Sequence, residues 1–318
     1  MLAKNNKNVK FHTIKSLLEW AFLSLNRVSN SPALDAEVIL SSVIGKSREY
    51  LYSHPEKRIS KKENDKFKKL INRRKKYEPI AYIIGRREFY GLSFKVNKNV
   101  LIPRPETELI IDEALGIARS SDTLTLIDIG TGSGCIPIAI TKNLIHKYSH
   151  KYVNQIFGID ISHEALKVAK KNARINGVDK YIKFLQGDLL EKYFMRKYYN
   201  FPLTSNFSKK NTIIITANLP YLPRSVYEHS TEDVKKYEPK KALFGGYDGL
   251  KYYKRLFKEI AKLNLSEQPN LKAVIICEID PSQAKAIKNL IAKYFPKANL
   301  RIEKDLAGFK RLVIIKIR

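Results

Sequence analysis

The chain has 318 residues, 44% of them hydrophobic, which is long enough for two domains and too apolar for a disordered chain. Its two cysteines, Cys135 and Cys277, stand far apart and in no metal-ligand spacing, which argues against a disulfide scaffold or a cysteine metal site and fits a reducing cytoplasm. Lysine and arginine outnumber aspartate and glutamate 59 to 31, a net charge of +28 that favours polyanionic partners such as RNA or the ribosome. The lysines are nevertheless spread along the chain, which equally fits a generally lysine-rich surface. No run of about 18 apolar residues occurs, so a membrane span is not expected. The opening "MLAKNNKNVKF" is basic but lacks the apolar stretch of a signal peptide. A soluble, cytoplasmic protein is expected.

Residues 11–85 carry helical patterns. "TIKSLLEWAFLSL" sets Ile14, Leu17, Leu18, Ala21 and Phe22 at helical spacing. "SPALDAEVILSSVIG" has Pro32 in its first turn behind a Ser31 cap, and Gly45 closes it. The basic stretch "KRISKKENDKFKKLINRRKKY" holds a third amphipathic helix, read as a solvated face or as a surface meeting RNA-rich machinery. Next, "REFYGLSFKVN" alternates and turns at Gly91, which predicts a hairpin. From about residue 101, apolar strands alternate with helices: "LTLIDIG", "QIFGID", "YIKFLQGD", "TIIITANLPY", "KAVIICEID" and "LVIIKIR". Continuous apolar strands separated by helices predict a mostly parallel sheet covered on both faces. The polar stretch 191–212 interrupts the rhythm and is expected to be a surface insertion.

"LIDIGTGSGCIPIAI" reads strand, glycine loop, helix. Its spacing is G-x-G-x-G, since the third glycine of a dinucleotide fingerprint would fall at Cys135. Asp160 ends the next strand, where a carboxylate can accept two ribose hydroxyls; Asp188 follows the one after, where it could meet an adenine amino group. Ligands of open α/β sheets bind beyond the strand carboxyl ends, and S-adenosylmethionine fits this set better than a nicotinamide.

The fourth strand ends in Asn218, Leu219, Pro220 and Tyr221. A planar amide nitrogen, or the amino group of adenine, is a poor nucleophile because its lone pair is delocalised. An enzyme methylating such a group must orient its NH₂. The Asn218 side-chain oxygen and the Leu219 carbonyl can each accept one N–H, Pro220 stiffens the turn, and Tyr221 offers a flat face.

With those residues in view, the chain resembles the HemK/PrmC N5-glutamine methyltransferases, which modify class I peptide chain release factors. The resemblance covers nearly the whole chain, through "PIAYIIGRREFYGLSFKVNKNVLIPRPETE" at 79–108, "DIGTGSG", the Asn-x-Pro-Tyr turn and "YEPKKALFGGYDGL" at 237–250. It implies a Rossmann-like class I methyltransferase, with a mostly parallel seven-stranded sheet preceded by a small helical domain. The domains it implies are a helical substrate-recognition domain at 1–85, a hairpin linker at 86–100 and a methyltransferase domain at 101–318. By the same resemblance Gly130, Thr131, Gly132, Ser133, Gly134, Asp160 and Asn218 contact S-adenosylmethionine, and Asp188 lies near the adenine. Asn218, Leu219, Pro220 and Tyr221 hold the glutamine, and no metal is implied. Arg104 and Glu106 are expected to order the loop roofing the pocket, and Glu238 its own loop. The family usually has Asn-Pro-Pro-Tyr; here Leu219 replaces the first proline. Asn-Leu-Pro-Tyr also resembles rRNA adenine dimethyltransferases, so a nucleic-acid adenine methyltransferase is the rival reading. A non-catalytic RNA-binding protein on the same fold is a third, against which the intact glycine loop, Asp160 and Asn218 argue.

Overall fold

The computed structural model describes residues 13–121, 123–147, 153–190, 211–268 and 270–317. The basic start and most of the expected insertion at 191–212 lie outside those residues. The chain divides into a helical unit ending at Gly85, grouped with Thr231–Tyr237, and a second unit of Arg86–Ser230 with Glu238–Arg318.

In the helical unit, α1 (Ile14–Leu25) starts from a capping box in which Thr13 and Ser16 satisfy each other's backbone N–H groups. It buries Ile14, Leu17, Ala21 and Leu25, whereas Phe22, expected on that face, is exposed. Helix α2 (Pro32–Ile44) begins on its proline and ends at Gly45 in the left-handed region. Ser31 holds the cap position but makes no side-chain cap bond; the Ser29 hydroxyl instead donates to Asp35. Two short helices absent from the sequence reading follow, α3 (Arg48–Ser53) and, after α4, α5 (Ile80–Ile84). Helix α4 (Lys61–Arg74) is capped by Ser60 and Glu63 and buries only Phe67 and Ile71. Arg74 is ion-paired to Asp35 at 2.7 Å and Arg73 to Glu78 at 2.5 Å, so two of the basic residues of this helix hold the unit together.

The second unit opens on a hairpin of β1 (Arg86–Phe89) and β2 (Leu92–Lys95). Tyr90 and Gly91 both have positive φ, which is the geometry that matches a two-residue turn to twisted strands. The hairpin packs within this unit: Phe89 and Phe94 join its core, and Asn172 bonds both the N–H and the carbonyl of Lys95. Helix α6 (Glu108–Ala118) leads to β3 (Thr123–Ile129), α7 (Cys135–Lys147), β4 (Val153–Asp160), α8 (His163–Ile175) and β5 (Ile182–Gln186). After β6 (Asn211–Ala217) come short helices α9 (Arg224–Glu228) and α10 (Glu232–Tyr237), the latter grouped with the helical unit. Helix α11 (Lys251–Ala261), β7 (Leu271–Glu278), α12 (Ala284–Tyr294), β8 (Asn299–Lys304) and β9 (Lys310–Ile317) complete the chain.

The seven-stranded sheet has the order β5-β4-β3-β6-β7-β9-β8, with β3 to β7 parallel and β9 antiparallel to both neighbours. It is a Rossmann-like, mostly parallel sheet. Side chains alternate between two apolar layers: Ile127, Ile129, Ile213 and Ile215 face one, while Leu124, Leu126, Ile214 and Val274 face the other. Burial on both faces is why these strands read as unbroken apolar runs. Strand β8 escaped the sequence reading because it is an edge strand with "NLRIEK" half exposed.

Candidate active site

Strand β3 ends at Ile129, and the backbone turns through Gly130–Gly134 into α7. Gly130, Gly132 and Gly134 have φ of 73°, 53° and 79°, values that any residue with a Cβ adopts only under strain. The N–H groups of Gly130 and Thr131 both donate to the Ile159 carbonyl, at 2.8 and 2.9 Å, which fastens the loop to β4. A Cβ on Gly130 would press on Leu219, and one on Gly134 on Ile138 and Ala169; on Gly132 it would meet nothing nearer than a carbonyl at 3.9 Å. Gly132 therefore faces the open side of the loop.

Asp160, the last residue of β4, accepts the Gly132 N–H on one oxygen and the Ser162 N–H on the other, each at 2.8 Å. Burial raises its pKa, and those two backbone donors oppose the rise. Each oxygen keeps a further lone pair for a ligand hydroxyl. Asp188, just past β5, is ion-paired to Arg255 at 2.8 Å through one oxygen only. Beneath the loop, Asp128 of β3 accepts from the cross-strand Thr216 hydroxyl at 2.7 Å. Burial pushes its pKa up to about 7. Its second oxygen and the neighbouring Thr131 hydroxyl have no hydrogen-bond partner among the described residues.

Next to β3 in the sheet, β6 delivers Asn218. Its NH₂ group donates to the Thr107 hydroxyl and to Glu278, both at 2.9 Å. Its side-chain oxygen has no protein partner among the described residues. Tyr221 donates its hydroxyl to the other oxygen of Glu278 at 2.8 Å, and burial pushes the tyrosine pKa up. Leu219 is buried, with its side chain against Gly130.

The turn after Asn218 is fixed from behind by "FGGYDGL". The Leu222 N–H donates to the Leu243 carbonyl at 2.9 Å, and the Gly245 N–H donates to the Leu222 carbonyl at 3.0 Å. Any side chain on Gly245 would overlap the Pro220 carbonyl, and any on Gly249 would overlap the Tyr221 carbonyl and Gln283. Gln283 donates to the Tyr221 and Asp248 carbonyls at 2.8 and 3.0 Å, which closes the arrangement. The two other singled-out segments, 103–108 and 237–250, also meet. Arg104 pairs with buried Glu238 at 2.5 Å, and Glu238 also accepts from the Ile102 N–H; among the described residues Glu106 makes no such bond.

Comparison with known proteins decides the family. The PrmC N-terminal domain matches residues 16–85, and a methyltransferase domain matches residues 120–238. A release factor glutamine methyltransferase of Bacillus anthracis is 34% identical over 309 residues, covering 94% of this chain and 98% of that one. Proteins of the same name from Thermodesulfovibrio yellowstonii and Bacillus subtilis are 35% and 34% identical, covering 89% and 95% of this chain and 91% and 96% of theirs. The chain belongs to the release factor glutamine methyltransferase family.

Within this family member the carboxyl edge of the sheet gathers Asp160, the glycine loop and Asn218 at the ends of the neighbouring strands β4, β3 and β6. Two residues on that edge were not singled out from the sequence. Glu278 ends β7 and Thr107 ends the short turn before α6; both are buried. For Glu278 a signal existed: an acid closing five apolar residues, in the same strand-end position as Asp160. Thr107 carried none, because a hydroxyl between two glutamates reads as a helix cap. Among the described residues no cluster of metal-ligating side chains occurs, and no helix is long and apolar enough to cross a membrane.

Proposed function

We propose that this chain transfers a methyl group from S-adenosylmethionine to the side-chain amide nitrogen (N5) of the glutamine in the Gly-Gly-Gln motif of class I peptide chain release factors. The observation that carries the reading is Asn218: its NH₂ is consumed by Thr107 and Glu278, which leaves its oxygen as an acceptor beside the glycine loop. Family membership supplies the substrate class.

The residues fit the cofactor. Gly130, Thr131, Gly132, Ser133 and Gly134 would let its amino-acid end approach the backbone, with Gly132 leaving the needed space. Asp160 would take the ribose hydroxyls on its remaining lone pairs, and Asp188 the adenine amino group on the oxygen that Arg255 leaves free. When bound, S-adenosylmethionine supplies an electrophilic methyl group on a sulfonium.

The substrate amide needs acceptors. The Asn218 oxygen and the Leu219 carbonyl each take one N–H, which favours the pyramidal nitrogen over the planar one. These bonds strengthen as positive charge builds on the nitrogen that takes the methyl group, so they act on the transition state. Tyr221, tied through its hydroxyl to Glu278, packs against the planar group. No strong base is required, because the methylated nitrogen is cationic and loses its proton to water. Proximity in a site shielded from solvent supplies the rest. The helical unit is the proposed docking element for the release factor, and the two free, buried cysteines suit a cytoplasmic enzyme.

Asn218→Ala tests the reading. It should lower kcat by roughly 10²–10³, the range for loss of one transition-state hydrogen bond, with a smaller change in cofactor affinity. An Asn218→Ala enzyme with unchanged kcat on the release factor would remove the basis of the proposal.

A further inference from the structure

Glu278 lies at the end of β7, is 1% exposed, and receives three hydrogen bonds: from Asn218 and Thr107 on one oxygen and from Tyr221 on the other. The Thr107 hydroxyl gives its only proton to Glu278 at 2.7 Å, so its oxygen can only accept in the bond from Asn218. Both groups facing Asn218 are thus acceptors. An Asn218 amide turned the other way would set its oxygen against two oxygens, and its NH₂ toward the substrate. We propose that Glu278 and Thr107 are positioning residues that lock the Asn218 amide in the orientation presenting its oxygen to the glutamine NH₂.

The proposal rests on the glutamine-methylation reading and goes beyond it. Neither residue touches the substrate; both act through Asn218, and Glu278 also holds Tyr221. Burial raises the Glu278 pKa, and the hydroxyls of Thr107 and Tyr221 oppose that rise, so the donors gathered around the carboxylate offset the cost of an acid on this buried strand end. The Tyr253 hydroxyl, donating to the Glu278 main-chain carbonyl, fixes the backbone at the same residue.

The test uses full-length enzyme on intact release factor. Glu278→Met keeps the length of the side chain and removes the acceptors. It should lower kcat by roughly 10–100-fold, with KM for the release factor and calorimetric Kd for S-adenosylmethionine within about threefold of wild type. Glu278→Gln should recover most of that loss, since its oxygen can face Asn218 and Thr107 while its NH₂ donates to the Tyr221 oxygen. In single turnovers, Glu278→Met should cost several-fold less when added to Asn218→Ala than it costs alone, because only its hold on Tyr221 then remains to be lost. Thr107→Val should lower kcat about fivefold and Thr107→Ser restore it, in a pair too conservative to unfold the protein. Full kcat in Glu278→Met, or the same fold-loss from it with and without Asn218, would overturn the proposal while leaving the functional reading intact. A wild type that leaves the glutamine unmethylated would overturn both.

Discussion

Asp160 accepts backbone N–H groups from Gly132 and Ser162 on its two oxygens, so it shapes the glycine loop as well as offering lone pairs to a ligand. Asp160→Asn keeps the size but turns one acceptor into a donor facing an N–H. Losing a buried charge-assisted contact costs about 2–4 kcal/mol, so calorimetry should show S-adenosylmethionine affinity falling by at least about 30-fold. Unchanged affinity in a folded variant would contradict the assignment. Asp128 carries a separate prediction. Burial raises its pKa from 3.8 to about 7. The folded protein therefore holds a proton there that the unfolded chain releases above about pH 4. This contribution to stability is complete below about pH 4 and is lost as pH rises towards 7. Asp128→Asn keeps an acceptor for Thr216 and adds a donor beside Thr131. Denaturant titrations should show wild type losing roughly 4 kcal/mol relative to this variant between those pH values. Parallel pH profiles would show that Asp128 is ionised in the fold.

Among the elements, the loop after β6 depends on a glycine rather than on its own proline alone. A side chain on Gly249 would overlap the Tyr221 carbonyl and Gln283, and the residue has a φ of 71°. Gly249→Ala should lower kcat at least about tenfold by displacing the turn. Gly308→Ala, at a φ of 83° with open space around it, should cost only about 1 kcal/mol of stability and leave kcat unchanged. Equal kcat in the two variants would separate the turn from catalysis. The parallel core strands, the glycine loop, Asp160 and Asn218 were legible in the sequence because burial on both faces and strand-end chemistry are local signals. The pairing of Arg104 with Glu238, across 134 residues of chain, and the convergence of Thr107, Asn218, Tyr221 and Glu278 were not. Those partners are brought together by strand order, which no local pattern encodes. Strand β8 was lost for a different reason, since an exposed edge needs no apolar run.

At the scale of the whole molecule, the net charge of +28 invites an electrostatic account of partner capture. Arg73 and Arg74 are engaged within the helical unit, so Lys61, Lys62, Lys66 and Lys69, all exposed on α4, are the residues to reverse. If this face meets a release factor, their change to glutamate should raise KM and flatten its salt dependence with kcat unaltered. Identical KM and salt slopes would mark the charge as surface composition alone. The central claim concerns the substrate itself. Purified enzyme incubated with labelled S-adenosylmethionine, a class I release factor and rRNA, followed by mass spectrometry of each product, tests it directly. The account predicts one methyl group on the side-chain nitrogen of the Gly-Gly-Gln glutamine and none on RNA. Methylated adenine in the rRNA beside an unmodified glutamine would contradict it.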